Sequence, residues 1–228
     1  MIVGGFQKTS LIDYPSKIAA VVFTQGCNFR CGYCHNPELI ELKSNLQIDE
    51  SFIFDYLKKR KGLIDAVVIT GGEPCIQGDL AEFIRQVKNL DYLVKLDTNG
   101  SFPFMLERLF AENLIDYVAM DIKAPLFKYR EITNAGINLE YINKSIDLIK
   151  KYAPDYEFRT TVVKLQLSFE DINEIAKLLK GAKKYYLQSF VSSKILDNSL
   201  KNEISYTQEE FLEIKMNIEQ NIQSVFIR

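Results

Sequence analysis

The sequence has a single histidine, His35, in 228 residues. No second histidine is present and no Ser–His hydrolytic pair is visible, so conventional acid–base machinery is missing. A marked excess of either charge sign is missing too. The net charge of -2 gives no basic footprint for nucleic acid. Long apolar runs are absent: the longest near the start, Ile18 to Phe23, is far too short to cross a bilayer. No basic stretch followed by an apolar segment opens the chain, so no signal peptide is expected and the expected location is the cytoplasm. In a reducing compartment, clustered cysteines point to metal or redox chemistry rather than disulfides. Internal repeats, low-complexity segments and linkers are also lacking. What is left is an ordinary globular balance, 47% hydrophobic and 25% charged. The length suits one domain, residues 1–228.

Short β-branched runs alternate with helical patterns. Strands are predicted at 18–23 (IAAVVF), 66–69 (AVVI), 93–96 (LVKL), 117–121 (YVAMD), 157–163 (EFRTTVV) and 185–188 (YYLQ), with a short last one at 224–227. Helices are predicted at 49–59, 80–89, 103–113, 139–152 and 169–180, with a final one after Thr207. Pro103 suits a first helical position, and Ser168/Asp171 and Thr207/Glu210 have capping-box spacing. Residues 8–17 (KTSLIDYPSK) read as a surface turn. Stretches 124–138 and 189–205 read as irregular, the latter as a mobile flap leading into a C-terminal helix within 189–228. Six β-then-α units imply a parallel curved sheet with outer helices. Six fall short of the eight that close a barrel, so the expected fold is an open, partial (β/α)6 barrel. In such folds the site lies at the carboxyl ends of the strands. The informative residues sit there: the cysteine loop 24–39, Gly71-Gly72-Glu73-Pro74, Asp97-Thr98-Asn99-Gly100, and Asp121 with Lys123.

Three of the four cysteines, Cys27, Cys31 and Cys34, are spaced C-x3-C-x2-C. Cysteine thiolates hold iron–sulfur clusters, and a [4Fe-4S] cube has four irons. Three thiolates leave one iron open to a small molecule, whereas a fourth would leave an electron carrier. Zinc is the competing reading. It wants four ligands, with His35 or Cys75 as the fourth, and adjacent Cys34 and His35 would struggle to reach one ion. Cys75 reads more simply as a small buried thiol.

C-x3-C-x2-C with Tyr33 before the last cysteine resembles the signature of the radical S-adenosylmethionine (SAM) superfamily, and "TGGEP" resembles its SAM-amine motif. The segment "GGFQKTSLIDYPSKIAAVVFTQGCNFRCGYCHNPEL" is similar to the N-terminus of activating proteins for anaerobic ribonucleoside-triphosphate reductase. "LDTNG" and "MDIKAP" resemble pyruvate formate-lyase activating enzyme. The resemblance implies a [4Fe-4S] cluster on Cys27, Cys31 and Cys34, and SAM cleaved to a 5'-deoxyadenosyl radical. That radical would take hydrogen from a glycine of a glycyl radical enzyme, here anaerobic ribonucleotide reductase. A flavodoxin or ferredoxin would be the reductant. It also implies a monovalent cation at Asp97, Thr98 and Asp121, with Lys123 on the methionyl group. No nucleic-acid or membrane partner is expected. Rival functions are a radical SAM enzyme acting on a small molecule or peptide, and a zinc-binding or electron-transfer protein.

The residues carry plainer readings beside these. Gly71, Gly72 and Glu73 could hold an ammonium group, the glycines admitting a close backbone approach, or could form an ordinary strand-to-helix turn. Asp121 and Lys123 lie on one side of an extended chain and could simply pair. Arg159 inside a strand could face SAM or form an interstrand salt bridge. Tyr33 could pack on adenine or on the core. Gln188 stands where pyruvate formate-lyase activating enzyme has histidine. His35, beside Asn36 and Pro37, is expected to cap or buttress the cluster loop.

Overall fold

The computed structural model describes residues 1–43 and 47–228. Its centre is one eight-stranded sheet in sequence order. The strands are β1 (Val3–Ser10), β2 (Ala19–Thr24), β3 (Ala66–Gly71), β4 (Leu93–Thr98), β5 (Tyr117–Asp121), β6 (Asp155–Val162), β7 (Lys184–Ser189) and β8 (Ser224–Ile227). From β2 to β8 every pairing is parallel. Since β1 and β8 do not pair with each other, the sheet stays open. The helices α1 (Glu50–Lys59), α2 (Leu80–Lys88), α3 (Pro103–Ala111), α4 (Tyr129–Thr133), α5 (Leu139–Tyr152), α6 (Phe169–Leu178) and α7 (Gln208–Ile218) lie in the crossovers. The partial α/β barrel read from the sequence is present. Both capping boxes form, Ser168 with Asp171 and Thr207 with Glu210.

Alternation along the strands sends side chains to two different cores. The convex side joins Ala20, Val22, Val67, Ile69, Val94 and Leu96 to the apolar faces of the helices. The concave side holds a second, small cluster of Ala19, Val21, Ala66, Val68 and Tyr117, closed by Tyr14. Closed barrels usually fill this interior with branched apolar residues. Here the small cluster gives way, toward the strand ends, to Lys95, Asp97, Asp121, Glu157 and Arg159.

Several details differ from the sequence reading. Residues 3–10 form a strand, β1, antiparallel to β2 and irregular in register. Its short, glycine-containing start hides the alternation. Residues 11–17 are more than a surface turn. Leu11 and Ile12 are exposed, but Tyr14 is buried, with its ring centroid 5.7 Å from that of Tyr117. Local polarity around Pro15 masks this tertiary contact. Within 124–138, a 3-10 turn leads into α4, which is too short to show a period. Within 189–205, residues 198–202 form another 3-10 turn around buried Leu200. No described helix is long and apolar enough to cross a membrane.

If Tyr14 closes the concave floor, Tyr14→Ala should lower unfolding free energy by about 2–4 kcal/mol in urea titration. A loss below about 0.5 kcal/mol would place the ring outside the core.

Candidate active site

The cysteine loop leaves β2 at Thr24 and is closed at its base. Gly26 N–H donates to Leu39 O (2.8 Å) and Cys27 N–H to Ile40 O (3.0 Å). Within it, Cys34 N–H donates to Cys31 O (3.0 Å), and Arg30 holds the Cys27 and Phe29 carbonyls (2.6 and 2.9 Å). All four cysteines are free thiols. Cys27, Cys31 and Cys34 line one cavity of about 420 Å³ together with Tyr33, Gly71, Gly72, Glu73, Asp97, Thr98, Asp121, Lys123 and Arg159. The structure therefore brings every candidate site residue into one place. The volume is in the range of cavities that take a nucleoside-sized ligand.

Gly71 and Gly72 line the cavity and also serve a second purpose. Gly72 N–H donates to Thr24 O (2.9 Å) and Glu73 N–H to Gly26 O (2.8 Å), so the turn after β3 crosses the turn after β2, backbone on backbone. A Cβ on Gly71 would meet Thr24 backbone atoms, and one on Gly72 would meet Gly26 O, each under 3.0 Å. Gly71 also has φ +112°, which side chains rarely adopt.

Glu73 is buried at 1% exposure. Its carboxylate accepts from Cys75 N–H (3.0 Å), Thr98 Oγ1–H (2.7 Å) and Asn99 N–H (2.6 Å). Burial raises its pKa, and these donors work against the rise. Three of roughly four acceptor positions are filled, so Glu73 mainly ties the β3 and β4 turns together. Asn99 extends the tie: its amide donates to Asn28 Oδ1 (3.0 Å), and Asn28 donates to Ser101 Oγ (2.9 Å). Asn28 and Ser101 were not singled out in the sequence, whereas Asn99 stands within the strand-end run Asp97-Thr98-Asn99-Gly100. "DTNGS" after a strand was the available signal.

Arg159 on β6 pairs in register with Asp121 on β5. Its Nε donates to Asp121 Oδ1 (2.8 Å), and its Nη1 lies 3.4 Å from Asp97 Oδ2. Lys123 Nζ donates to Asp121 Oδ2 (3.1 Å) and sits 5.9 Å from the Tyr33 ring centroid. Lys95 Nζ is 2.5 Å from Asp97 Oδ1. Buried charges survive only when paired. Burial opposes ionisation of Asp121, yet Arg159 and Lys123 overcome it and hold the carboxyl well below its ordinary range. Burial likewise opposes the Lys123 ammonium, and the Asp121 carboxylate overcomes it, holding the Lys123 pKa well above its ordinary value. Both plain readings, the Asp121–Lys123 pair and the Arg159 interstrand bridge, are thus present inside the cavity wall.

The thiols sit in a less favourable field. Burial pushes Cys27 up to about 12, although Phe29 N–H donates to its sulfur, and burial also raises Cys31. Lys123 counters both. Tyr33 is buried, and its hydroxyl has no partner among the described residues, a cost of roughly 1–3 kcal/mol that a bound group could remove. No described group of three or more His, Cys, Asp or Glu side chains converges as a single metal ion requires. A four-iron cube makes no such demand, because each thiolate binds a different iron. The donor set and the cavity therefore fit a cluster with a small-molecule neighbour.

His35 buttresses the loop from outside. Its Nδ1 is 3.1 Å from Lys194 O, and its ring stacks near Phe190. Lys194 pairs with Glu38 (2.7 Å), and Asp197 N–H donates to Gly32 O (2.9 Å). Segment 190–197 is thus strapped to the cysteine loop. On the other side, Arg30 N–H donates to Thr133 O (2.8 Å), which docks α4. Cys75 is fully enclosed, with Thr98 Oγ1 3.6 Å from its sulfur, as a small buried thiol would be.

The sequence model of the Radical SAM superfamily matches residues 21–179. A Methanocaldococcus jannaschii protein, named by inference a glycyl-radical enzyme activating enzyme, is 38% identical over all of this chain and 95% of its own length. The pyruvate formate-lyase-activating enzyme of Listeria monocytogenes is 33% identical over 49% of each chain. Among solved structures, Streptococcus suis SuiB bound to S-adenosylmethionine superposes with TM-score 0.70 at 14% identity, over 91% of this chain and 49% of SuiB. That likeness is one of fold, and this chain spans about half of SuiB.

Gly72→Ala should prevent the two turns from crossing and lower thermal stability by many degrees. Gly78→Ala, with nothing within 4 Å of its added Cβ, should stay within about 0.5 kcal/mol of wild type. Equal melting curves would contradict the crossing. The depressed pKa of Asp121 stabilises the fold above the ordinary carboxylate pKa of about 4. That stability is lost as pH falls toward the folded-state value, because the unfolded chain takes up the proton first. Asp121→Asn should therefore be less stable at neutral pH but decline less steeply between about pH 4 and 2. Equal slopes in acid denaturation would contradict the pairing.

Proposed function

The chain belongs to the radical SAM superfamily and shares a family with a glycyl-radical enzyme activating enzyme; from that premise we propose that it activates a glycyl radical enzyme, anaerobic ribonucleotide reductase in particular. The observation that carries this reading is the shared cavity, with three thiols on one wall and a fixed charge array on the other. The N-terminal "KTSLIDYPSK" segment supports the choice of reductase, by resemblance. Flavodoxin or ferredoxin is the proposed reductant.

Cys27, Cys31 and Cys34 would hold three irons of a [4Fe-4S] cluster, leaving one open. When bound, the cluster and SAM supply an electron and a carbon-centred radical able to take a hydrogen atom from a glycine Cα. The protein binds, orients and shields. Lys123 has two ammonium protons beyond its Asp121 bond, enough to hold a carboxylate. Carbonyls of the Gly71–Glu73 turn and the remaining Glu73 acceptor would hold an ammonium group. Tyr33 forms a wall against which a flat base can pack. Tyr14 and Tyr117 close the floor and keep water from entering beneath the site. The gap between β1 and β8 leaves a side through which a partner's glycine loop can enter.

Anaerobically reconstituted protein with dithionite and SAM should yield 5'-deoxyadenosine by chromatography. With the organism's anaerobic ribonucleotide reductase present, it should leave a glycyl radical signal by electron paramagnetic resonance. Cys31→Ala should abolish both. Cleavage without the glycyl signal would move the substrate to a small molecule or peptide. No cleavage from protein with a full iron complement would overturn the mechanism.

A further inference from the structure

The two aspartates that a monovalent cation would need are already occupied by the chain's own cations. Arg159 lies in the gap between them, with Nε 2.8 Å from Asp121 Oδ1 and Nη1 3.4 Å from Asp97 Oδ2. The two outer oxygens are taken as well, Asp97 Oδ1 by Lys95 (2.5 Å) and Asp121 Oδ2 by Lys123 (3.1 Å). Each carboxylate oxygen thus has one cationic nitrogen of the chain beside it. Thr98, the third expected ligand, turns its hydroxyl elsewhere: it donates to Glu73 Oε1 (2.7 Å) and accepts from Gly100 N–H (3.1 Å). Thr98 borders the cavity, but alternation along β4 turns its side chain away from that of Asp97. A metal cation placed between the aspartates would displace Arg159 or lie against it, and like charges at contact distance repel strongly in a buried site. The residues do not fit a bound monovalent cation.

We propose that Arg159 and Lys95 are the resident cations of this site, so that SAM binding needs neither sodium nor potassium. This rests on the reading that the cavity takes SAM. Lys95 is the less obvious member. It is 2% exposed, lies one strand repeat beneath Asp97 on the concave face, and does not line the cavity. Its place there is otherwise unfavourable, since a buried ammonium must be repaid by a partner. The aspartate side chains are thereby held at fixed positions, which in turn sets Lys123 and its free protons toward the cavity. Arg159 and Lys95 are positioning residues in this account, acting on a ligand through Asp97 and Asp121.

Two measurements test it. Crystals of the cluster-loaded protein grown in rubidium should show no anomalous peak on Asp97 or Asp121. The SAM dissociation constant from equilibrium dialysis should change by less than about two-fold between potassium and tetramethylammonium buffers. Arg159→Gln opens the gap between the carboxylates. It should gain a rubidium peak there, and its SAM affinity should rise about ten-fold or more on adding potassium. Should that variant fail to fold, Lys95→Met frees Asp97 Oδ1 and should gain the peak instead. A rubidium peak on the aspartates of wild type, or variants that fold without gaining one, would overturn the proposal. If wild-type protein bound no SAM in any buffer, the functional reading would fall, and the rubidium maps alone would still decide whether the site excludes a cation.

Discussion

The site depends on one close approach, the crossing of the turn after β2 by the turn after β3. Neither Gly71 nor Gly72 can carry a Cβ where it stands, because Thr24 and Gly26 backbone atoms occupy that space. Hydrogen bonds from Gly72 and Glu73 N–H close the crossing. It anchors the first residues of the cysteine loop to the centre of the sheet. It also delivers the Glu73 carboxylate to the β4 turn, where Thr98 and Asn99 bind it. Three successive strand ends are thereby joined. A loop that must hold three thiols in a fixed relation needs such a base, since loops otherwise carry more freedom than the strands that bear them.

The concave interior follows a different logic from that of a closed barrel. An apolar filling would leave no room for a ligand, and an open face would admit water from both ends. This chain closes only the floor, with Tyr14 folded inward onto Tyr117. Above it lies a set of buried charges that satisfy one another: Glu157 accepts from Tyr117 Oη (2.9 Å), and Asp97, Arg159, Asp121 and Lys123 follow. Such an array adds little net stability, because desolvation offsets much of the attraction. It does give a rigid polar wall facing the thiols, a preorganised surface that needs no rearrangement when a charged ligand arrives.

Much of this was legible in the sequence because the relevant signals are local. The buried strands are short β-branched runs, the cysteine spacing is complete within one loop, and strand-end chemistry falls where parallel folds place their sites. What escaped detection was tertiary. β1 is an antiparallel edge strand with glycines near its start, and α4 has only five residues. Tyr14 looks like a turn residue until its partner on β5 is known. The glycines of "TGG" announce a tight turn, but not whether ligand or backbone fills the space. "DIK" and "FRT" announce charges in strands, but only the register of β5 against β6 shows that Arg159 stands between two aspartates.

The central claim is that three thiols hold a four-iron cluster with one iron open to SAM in the adjoining cavity. Its most direct test is electron paramagnetic resonance of the dithionite-reduced, reconstituted protein, alongside an iron count, before and after SAM is added. The account predicts about four irons per chain, as for any [4Fe-4S] centre, and a cluster signal whose shape changes on SAM addition. A cluster spectrum indifferent to SAM, or a preparation that takes up zinc and no iron, would contradict it.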